Sequence, residues 1–316
     1  MRRILMTGDG YTKEQFERLS SRGFEVIHNV EIAQQELISL LPTIDAHILG
    51  GSERLDATAL ESAIKLQVVS FVGTGYGAFV DEAAARARGI VIVNTPGVMA
   101  PAVAEHTIGL LLGAMRGLFA QNEAVKRSGS WPTTTLELSN SAIGIVGMGE
   151  IGTRVARILT KAFGCTVAYA SRSRKPDIES ELGLTFVDID QLFATVNAIL
   201  LFAPETPETT NIVDAIRLSK ARPGLILVNT ASPRLVEASA LKSALESGQV
   251  AVAAFDGYWI EPLPKPTSDP FGLLALPDKL FVVTPHMAAK TTGTWGRMVD
   301  LAVNNIITAF ENSRAL

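Results

Sequence analysis

Residues 142–159 read AIGIVGMGEIGTRVARIL. The first five are apolar and rich in β-branched residues, the composition of a buried strand. Gly147, Gly149 and Gly152 then follow at the spacing G-x-G-x-x-G. Beyond them Ile151, Val155, Ile158 and Leu159 fall on one face of a helix. On its own the glycine spacing is a weak signal; between a strand and a helix it is specific. Gly147 permits the tight turn, Gly149 lets the backbone approach a pyrophosphate, and Gly152 allows the helix to pack close to the strand. The phosphates rest on the free N–H groups at the helix N-terminus, where the dipole favours anions.

The pattern continues downstream. TVAYASR, AILLFAP, LILVNTA, VAAFDG and LFVVTPH read as strands, and EIGTRVARILTKAF, DIDQLFATV and EASALKSALESG as helices between them. Upstream, RRILMTG, FEVIH, AHILGG, VVSFVG and IVIVN alternate with the helical TKEQFERLSSR, AQQELISLL, LDATALESAI and VDEAAARARG. Such alternation means βαβ units on parallel sheets. A buried helix is expected over Pro101–Leu118, then a polar, less regular stretch, QNEAVKRSGSWPTTTLELSNS, and an amphipathic helix near the C-terminus. The predicted fold is α/β, with two Rossmann-like domains: 1–99 plus 288–316, and 100–287.

Composition narrows the function. The 316 residues are 47% hydrophobic, enough for two cores, and the net charge of −4 disfavours nucleic acid as a partner. No apolar run reaches the roughly 18–20 residues of a membrane span, and MRRILMTG reads as a first strand, not a signal peptide. The lone Cys165 excludes an intrachain disulfide and suits a reducing, cytoplasmic setting. No His/Cys/Asp cluster has metal-ligand spacing.

The end of the second Rossmann strand selects the cofactor. An NAD site usually places a carboxylate there for the ribose 2′-hydroxyl. Here Ala170 and Ser171 occupy that place, followed by Arg172, Ser173, Arg174 and Lys175. A carboxylate would repel a 2′-phosphate, whereas a guanidinium binds it through charge-assisted bonds. NADP is therefore preferred over NAD.

The chain resembles the D-isomer-specific 2-hydroxyacid dehydrogenases, a group that includes glyoxylate/hydroxypyruvate reductases. FVGTGYGAF, GIVIVNTPG, AVAEHTIGLLL, GIVGMGEIG, APETPETT, LVNTAS, AAFDGYWIEPLP and VVTPHMAAKT carry the likeness in family order over nearly the whole chain, and SRSRKP looks most like NADP-using hydroxypyruvate and hydroxyphenylpyruvate reductases. The resemblance implies an active site in the cleft between the domains and a homodimer, which the polar arm near Trp131 suits. It implies His286 as the acid/base, paired with Glu261, and Asp256 near the nicotinamide. Further cofactor contacts are implied at Gly147, Met148, Gly149, Glu150, Ile151, Gly152, Ser171, Arg172, Ser173, Ala203, Pro204, Thr209, Thr230 and Ala231. Substrate contacts are implied at Gly51, Gly75 and Tyr76, and Lys290, where the family usually has a small residue, is a further candidate. The chemistry is consistent: hydride reaches a carbonyl carbon while a proton must reach its oxygen, and an imidazolium held by a carboxylate is a natural donor near neutral pH. His28, His47 and His106 read as structural. Tyr258 and Trp259 suit either a bulky substrate or packing at the domain edge.

One position departs from the family. Its arginine, three residues beyond the asparagine in NTARGG or NTSRG, is here Ser232, in NTASPR. Three readings stand. Arg234 or Lys290 replaces the cation; the substrate lacks the carboxylate the arginine would hold; or the chain binds NADP(H) without efficient catalysis, as a sensor or interaction protein. Retention of Glu261 and His286 favours an enzyme.

Overall fold

A computed structural model describes residues 1–129 and 134–312. The chain divides into two compact units, Met1–Met99 with Lys290–Leu316, and Ala100–Ala289. The second boundary thus falls two residues beyond the expected 288.

The first unit holds a five-stranded parallel sheet, ordered β2-β1-β3-β4-β5. Its strands are β1 (Arg2–Thr7), β2 (Phe24–Asn29), β3 (Ala46–Leu49), β4 (Val68–Phe71) and β5 (Val91–Val93). The period of two sends Leu5 to one face and Ile4 and Met6 to the other, so both faces need cover. The helix Thr292–Asn312 covers one of them. Met298, Val299, Ala302, Val303, Ile306 and Phe310 recur at helical spacing and pack with Ile4, Met6, Ile48 and Val68.

The second unit is a seven-stranded parallel sheet, ordered β12-β11-β10-β9-β6-β7-β8. The strands are β6 (Ala142–Val146), β7 (Thr166–Ala170), β8 (Thr185–Phe186), β9 (Ala198–Leu201), β10 (Leu225–Asn229), β11 (Val250–Asp256) and β12 (Phe281–Thr284). The chain winds outward from β6 through β8, then returns to the other side of β6 with β9. That reversal is the topological switch point where doubly wound sheets bind ligands. Register keeps the carboxyl ends level: Val146 and Asn229 both pair with Leu201, Asn229 with Phe255, and Asp256 with Thr284. The turns that carry the candidate residues therefore leave one sheet edge.

Two elements differ from the sequence expectation. β8 is a two-residue edge strand, too short for any period to show. The stretch expected to be irregular begins as a helix, Leu118–Ser128, which follows the break at Gly117 (φ 59°). No residue of that helix is buried, so it carries no apolar stripe to read. Its content of good helix formers and an Arg127–Glu123 ion pair at 2.7 Å favour it instead. Trp131, in the arm expected at a dimer contact, lies outside the described residues.

Candidate active site

The turn after β6 is built for close approach. Gly147 has φ +99°, and a Cβ there would lie 2.5 Å from the Ala203 backbone nitrogen. A Cβ on Gly152 would collide with the Gly147 carbonyl oxygen. At Gly149 a Cβ would meet nothing within 4 Å, so the space above it is open. Gly149 is also the N-cap of the helix Glu150–Phe163 and provides no side-chain cap to its N–H groups. Open space over an uncapped helix N-terminus fits a dinucleotide pyrophosphate. Met148 is buried beneath this turn, and Glu150 and Ile151 open the helix. Ala203 is buried, and Pro204 accepts a 2.6 Å hydrogen bond from the Thr209 hydroxyl, which fixes the turn after β9.

The turn after β7 separates its cations. Arg174 donates to both carboxylate oxygens of Glu179, at 3.2 and 2.5 Å, and Tyr169 donates to the same carboxylate at 2.6 Å. Arg174, then Tyr169, hold the Glu179 carboxyl at about 2. Arg172 makes no ion pair among the described residues. Its charge adds weakly to the Thr206 hydrogen bond that holds Glu208 below the usual carboxylate range. Ser171 donates to the Ser173 carbonyl at 2.6 Å, shaping the turn around Arg172.

The turns after β11 and β12 bring His286 and Glu261 together. His286 has φ +51°, and its Nδ1 lies 3.0 Å from Glu261 Oε2. Gly257, with φ +105°, makes room for this arrangement, because a Cβ there would stand 3.0 Å from Glu261 Oε1. Asp256 is buried and acts from below. Its Oδ1 accepts from the Thr284 hydroxyl (2.5 Å) and the Met287 N–H (2.9 Å), and its Oδ2 from the Ala288 N–H (2.8 Å). A carboxylate that accepts from both peptides after His286 fixes the backbone that carries the imidazole. His106 joins the same network, with Nε2 3.1 Å from Thr284 Oγ1 and 3.6 Å from Asp256 Oδ1. Thr284 and His106 were not singled out as site residues in the sequence, because their partners lie on other elements. Tyr258 and Trp259 are packing residues: Tyr258 is 2% exposed and bonded to Asp269, and Trp259 stacks on Phe255.

The turns after β9 and β10 meet at Glu205, which sequence reading did not single out. Ser232 Oγ donates to Glu205 Oε2 at 2.5 Å and caps the short helix Pro233–Leu235 by accepting from the Arg234 N–H. Arg234 Nη1 stands 3.5 Å from Glu205 Oε1. Asn229 pins the turn through the Ala231 N–H and the Ser232 carbonyl, both at 3.0 Å. Thr230 is held from the side by Thr107, hydroxyl to hydroxyl at 2.8 Å.

Gly51, Gly75, Tyr76 and Lys290 belong to the first unit. Gly75 has open space at its Cβ position, Lys290 is exposed, and the Tyr76 carbonyl accepts from Phe79 and Val80. Gly51 lies against Glu53, whose buried carboxylate is 3.2 Å from His47 Nε2. His28 bonds the Gly8 carbonyl at 2.8 Å. Among the described residues no group of three or more His, Cys, Asp or Glu side chains is placed to hold a metal, and no helix is long and apolar enough to cross a membrane.

A doubly wound sheet with an open glycine turn at a helix N-terminus and a His286–Glu261 pair at its carboxyl edge fits a dinucleotide-dependent oxidoreductase. Residues 108–288 match the family described as D-isomer specific 2-hydroxyacid dehydrogenase, NAD binding domain. A glyoxylate reductase of Thermococcus onnurineus is 35% identical over 292 residues, which cover 89% of this chain and 84% of that one. Among solved structures, a Thermus thermophilus protein is 33% identical with a TM-score of 0.85, covering 98% of this chain and 97% of its own. An NADPH-dependent glyoxylate/hydroxypyruvate reductase of Sinorhizobium meliloti, solved with NADP and malonate, is 30% identical with a TM-score of 0.82, over 98% of this chain and 93% of that one. The chain belongs to the D-isomer specific 2-hydroxyacid dehydrogenase family. It is thus an oxidoreductase of CH–OH donors with a nicotinamide cofactor, in a family whose enzymes act on small hydroxy- or oxo-acids.

Proposed function

We propose that the protein is an NADPH-preferring reductase of small carbonyl compounds, with His286 as the acid/base and Glu261 as its orienting partner. The 3.0 Å contact between them carries this reading. With Nδ1 on Glu261, the ring's tautomer is set and Nε2 is the nitrogen that gives a proton to the carbonyl oxygen. Asp256 acts on the same ring through the backbone of the turn. The bound nicotinamide supplies the hydride, so that it is oxidised as the carbonyl carbon is reduced to an alcohol.

The second unit serves as the cofactor domain and the first as the substrate domain. Gly147 to Gly152 hold the pyrophosphate, with Ala203, Pro204, Thr209, Thr230 and Ala231 along the dinucleotide. Ser171, Arg172 and Ser173 take the adenosine ribose and its 2′-phosphate, and Arg172 supplies the charge because Arg174 is committed to Glu179. Gly51, Gly75, Tyr76 and Lys290 contact substrate. The assembly is a homodimer; Leu118 and Val125, seven residues apart on one helix face and both exposed, suit burial against a second copy. Light scattering that returns a monomer mass would remove the last point. The function itself is tested by NADPH oxidation with a panel of carbonyl compounds, in the wild type and His286→Ala. Undiminished reduction by the variant would defeat the assignment.

A further inference from the structure

The departure at Ser232 is part of a larger change. Glu205, from the turn after β9, reaches the turn after β10 and takes the Ser232 hydroxyl on one carboxylate oxygen. The other oxygen faces the Arg234 guanidinium at 3.5 Å. Arg234, one of the cations available to replace the family arginine, is therefore already compensated. Its side chain is 64% exposed and that of Glu205 38%, so neither is sealed from a ligand. The local sum of charge is about zero, where an arginine at 232 would make it positive. A substrate carboxylate arriving here meets like charge on Glu205. A hydroxyl meets an acceptor, since a carboxylate offers roughly four lone-pair positions and these contacts occupy two.

Resting on the reductase reading above, we infer that Glu205 is a specificity-determining residue that selects carbonyl substrates bearing a hydroxyl in place of the carboxylate. The second of the readings opened by Ser232 is thereby given a physical cause. Carboxylate recognition is not merely absent; the turn holds a group that opposes it. A site arranged to hydrogen-bond a donor discriminates strongly against a partner that cannot supply one. Asn229 holds the turn backbone through the Ala231 N–H and the Ser232 carbonyl, so an exchange at 232 forfeits the cap on the Arg234 N–H but keeps these two bonds.

Matched compounds test this. Glycolaldehyde and glyoxylate differ only in CH₂OH against carboxylate, as do hydroxyacetone and pyruvate. With the purified full-length protein and NADPH, the wild type is expected to favour the hydroxyl member of each pair in kcat/KM by tenfold or more. Glu205→Gln should move that ratio toward the acid by about ten- to a hundredfold, the size of one charge-assisted interaction, with the NADPH affinity unchanged. Ser232→Arg alone should help the acids little, because the new guanidinium pairs with Glu205. Combined with Glu205→Leu it should raise glyoxylate reduction well above either single change. A wild type that prefers glyoxylate in a His286-dependent reaction, with a ratio unmoved by Glu205→Gln, overturns this inference and leaves the reductase reading standing. Failure to reduce any of the compounds while NADPH binds removes both.

Discussion

The two halves of one sheet edge use carboxylates in opposite ways. On the β11–β12 side, Asp256 and Glu261 keep His286 in position: one holds the backbone after it, the other its ring. On the β7 and β9–β10 side, Glu179 and Glu205 engage guanidinium groups, at Arg174 and Arg234. Asp256 directs its acceptors to hydroxyl and peptide donors. Glu179 and Glu205 face full positive charges, which they cancel locally. A carboxylate beside an active site is thus read by its donors, and not by its presence. The cation count in SRSRKP and NTASPR overstates the positive charge available to a ligand, since Arg174 and Arg234 are ion-paired and, of these four cations, Arg172 and Lys175 make no ion pair among the described residues.

The comparison can be broken most decisively at His286. His286→Ala is expected to lower kcat by about 10²–10⁴, while NADPH binding, followed by fluorescence, persists. If the β7 side is as described, Arg172→Ala should weaken NADPH by about ten- to a hundredfold and leave NADH nearly unchanged; equal losses for both cofactors would return the 2′-phosphate to another group. Gly257→Ala sharpens the β11–β12 side. It forces an alanine into φ +105° with its Cβ against Glu261. A stability loss of about 1–3 kcal/mol, seen in denaturant melts, should accompany a lower kcat with KM for NADPH unchanged. The smallest effect belongs to Glu179. Its carboxyl is held at about 2 by Arg174 and Tyr169, below the ordinary glutamate value. The sign follows: its contribution to stability is complete above the ordinary value and fades as pH falls toward 2. Glu179→Gln should lack that part of the acid sensitivity in pH-dependent melts. It should also release Arg174 and tighten NADPH by about two- to fivefold, the scale of an exposed ion pair.

Much of this arrangement is legible in one dimension. The strands β1–β7 and β9–β12 announce themselves as short Val- and Ile-rich runs, because a sheet buried on both faces demands them. The glycine turn is legible for a similar reason: Gly147 and Gly152 answer local steric demands, one at φ +99° and the other against a neighbouring carbonyl. The helix Leu118–Ser128 is not, since it buries nothing and so imprints no period. β8 is not, since two residues carry no pattern.

The site divides along the same line. The identities of His286, Glu261 and Asp256, the absence of a carboxylate at Ala170–Ser171 and the serine at 232 are facts of sequence, and with the order of motifs they determine the family and the kind of chemistry. What only the tertiary structure decided is which charge meets which. Glu205 reaches Ser232 from 27 residues away because β9 returns beside β10. His106 reaches Thr284 across 178 residues because its helix packs against β10 and β11, and β12 lies beside β11. Glu179, only five residues from Arg174, still depends on the turn after β7 folding the chain back on itself. Propensity and period are set by near neighbours along the chain, and a sequence displays those directly. Charge pairing is set by distance in space, which strand order and register create and no local pattern encodes.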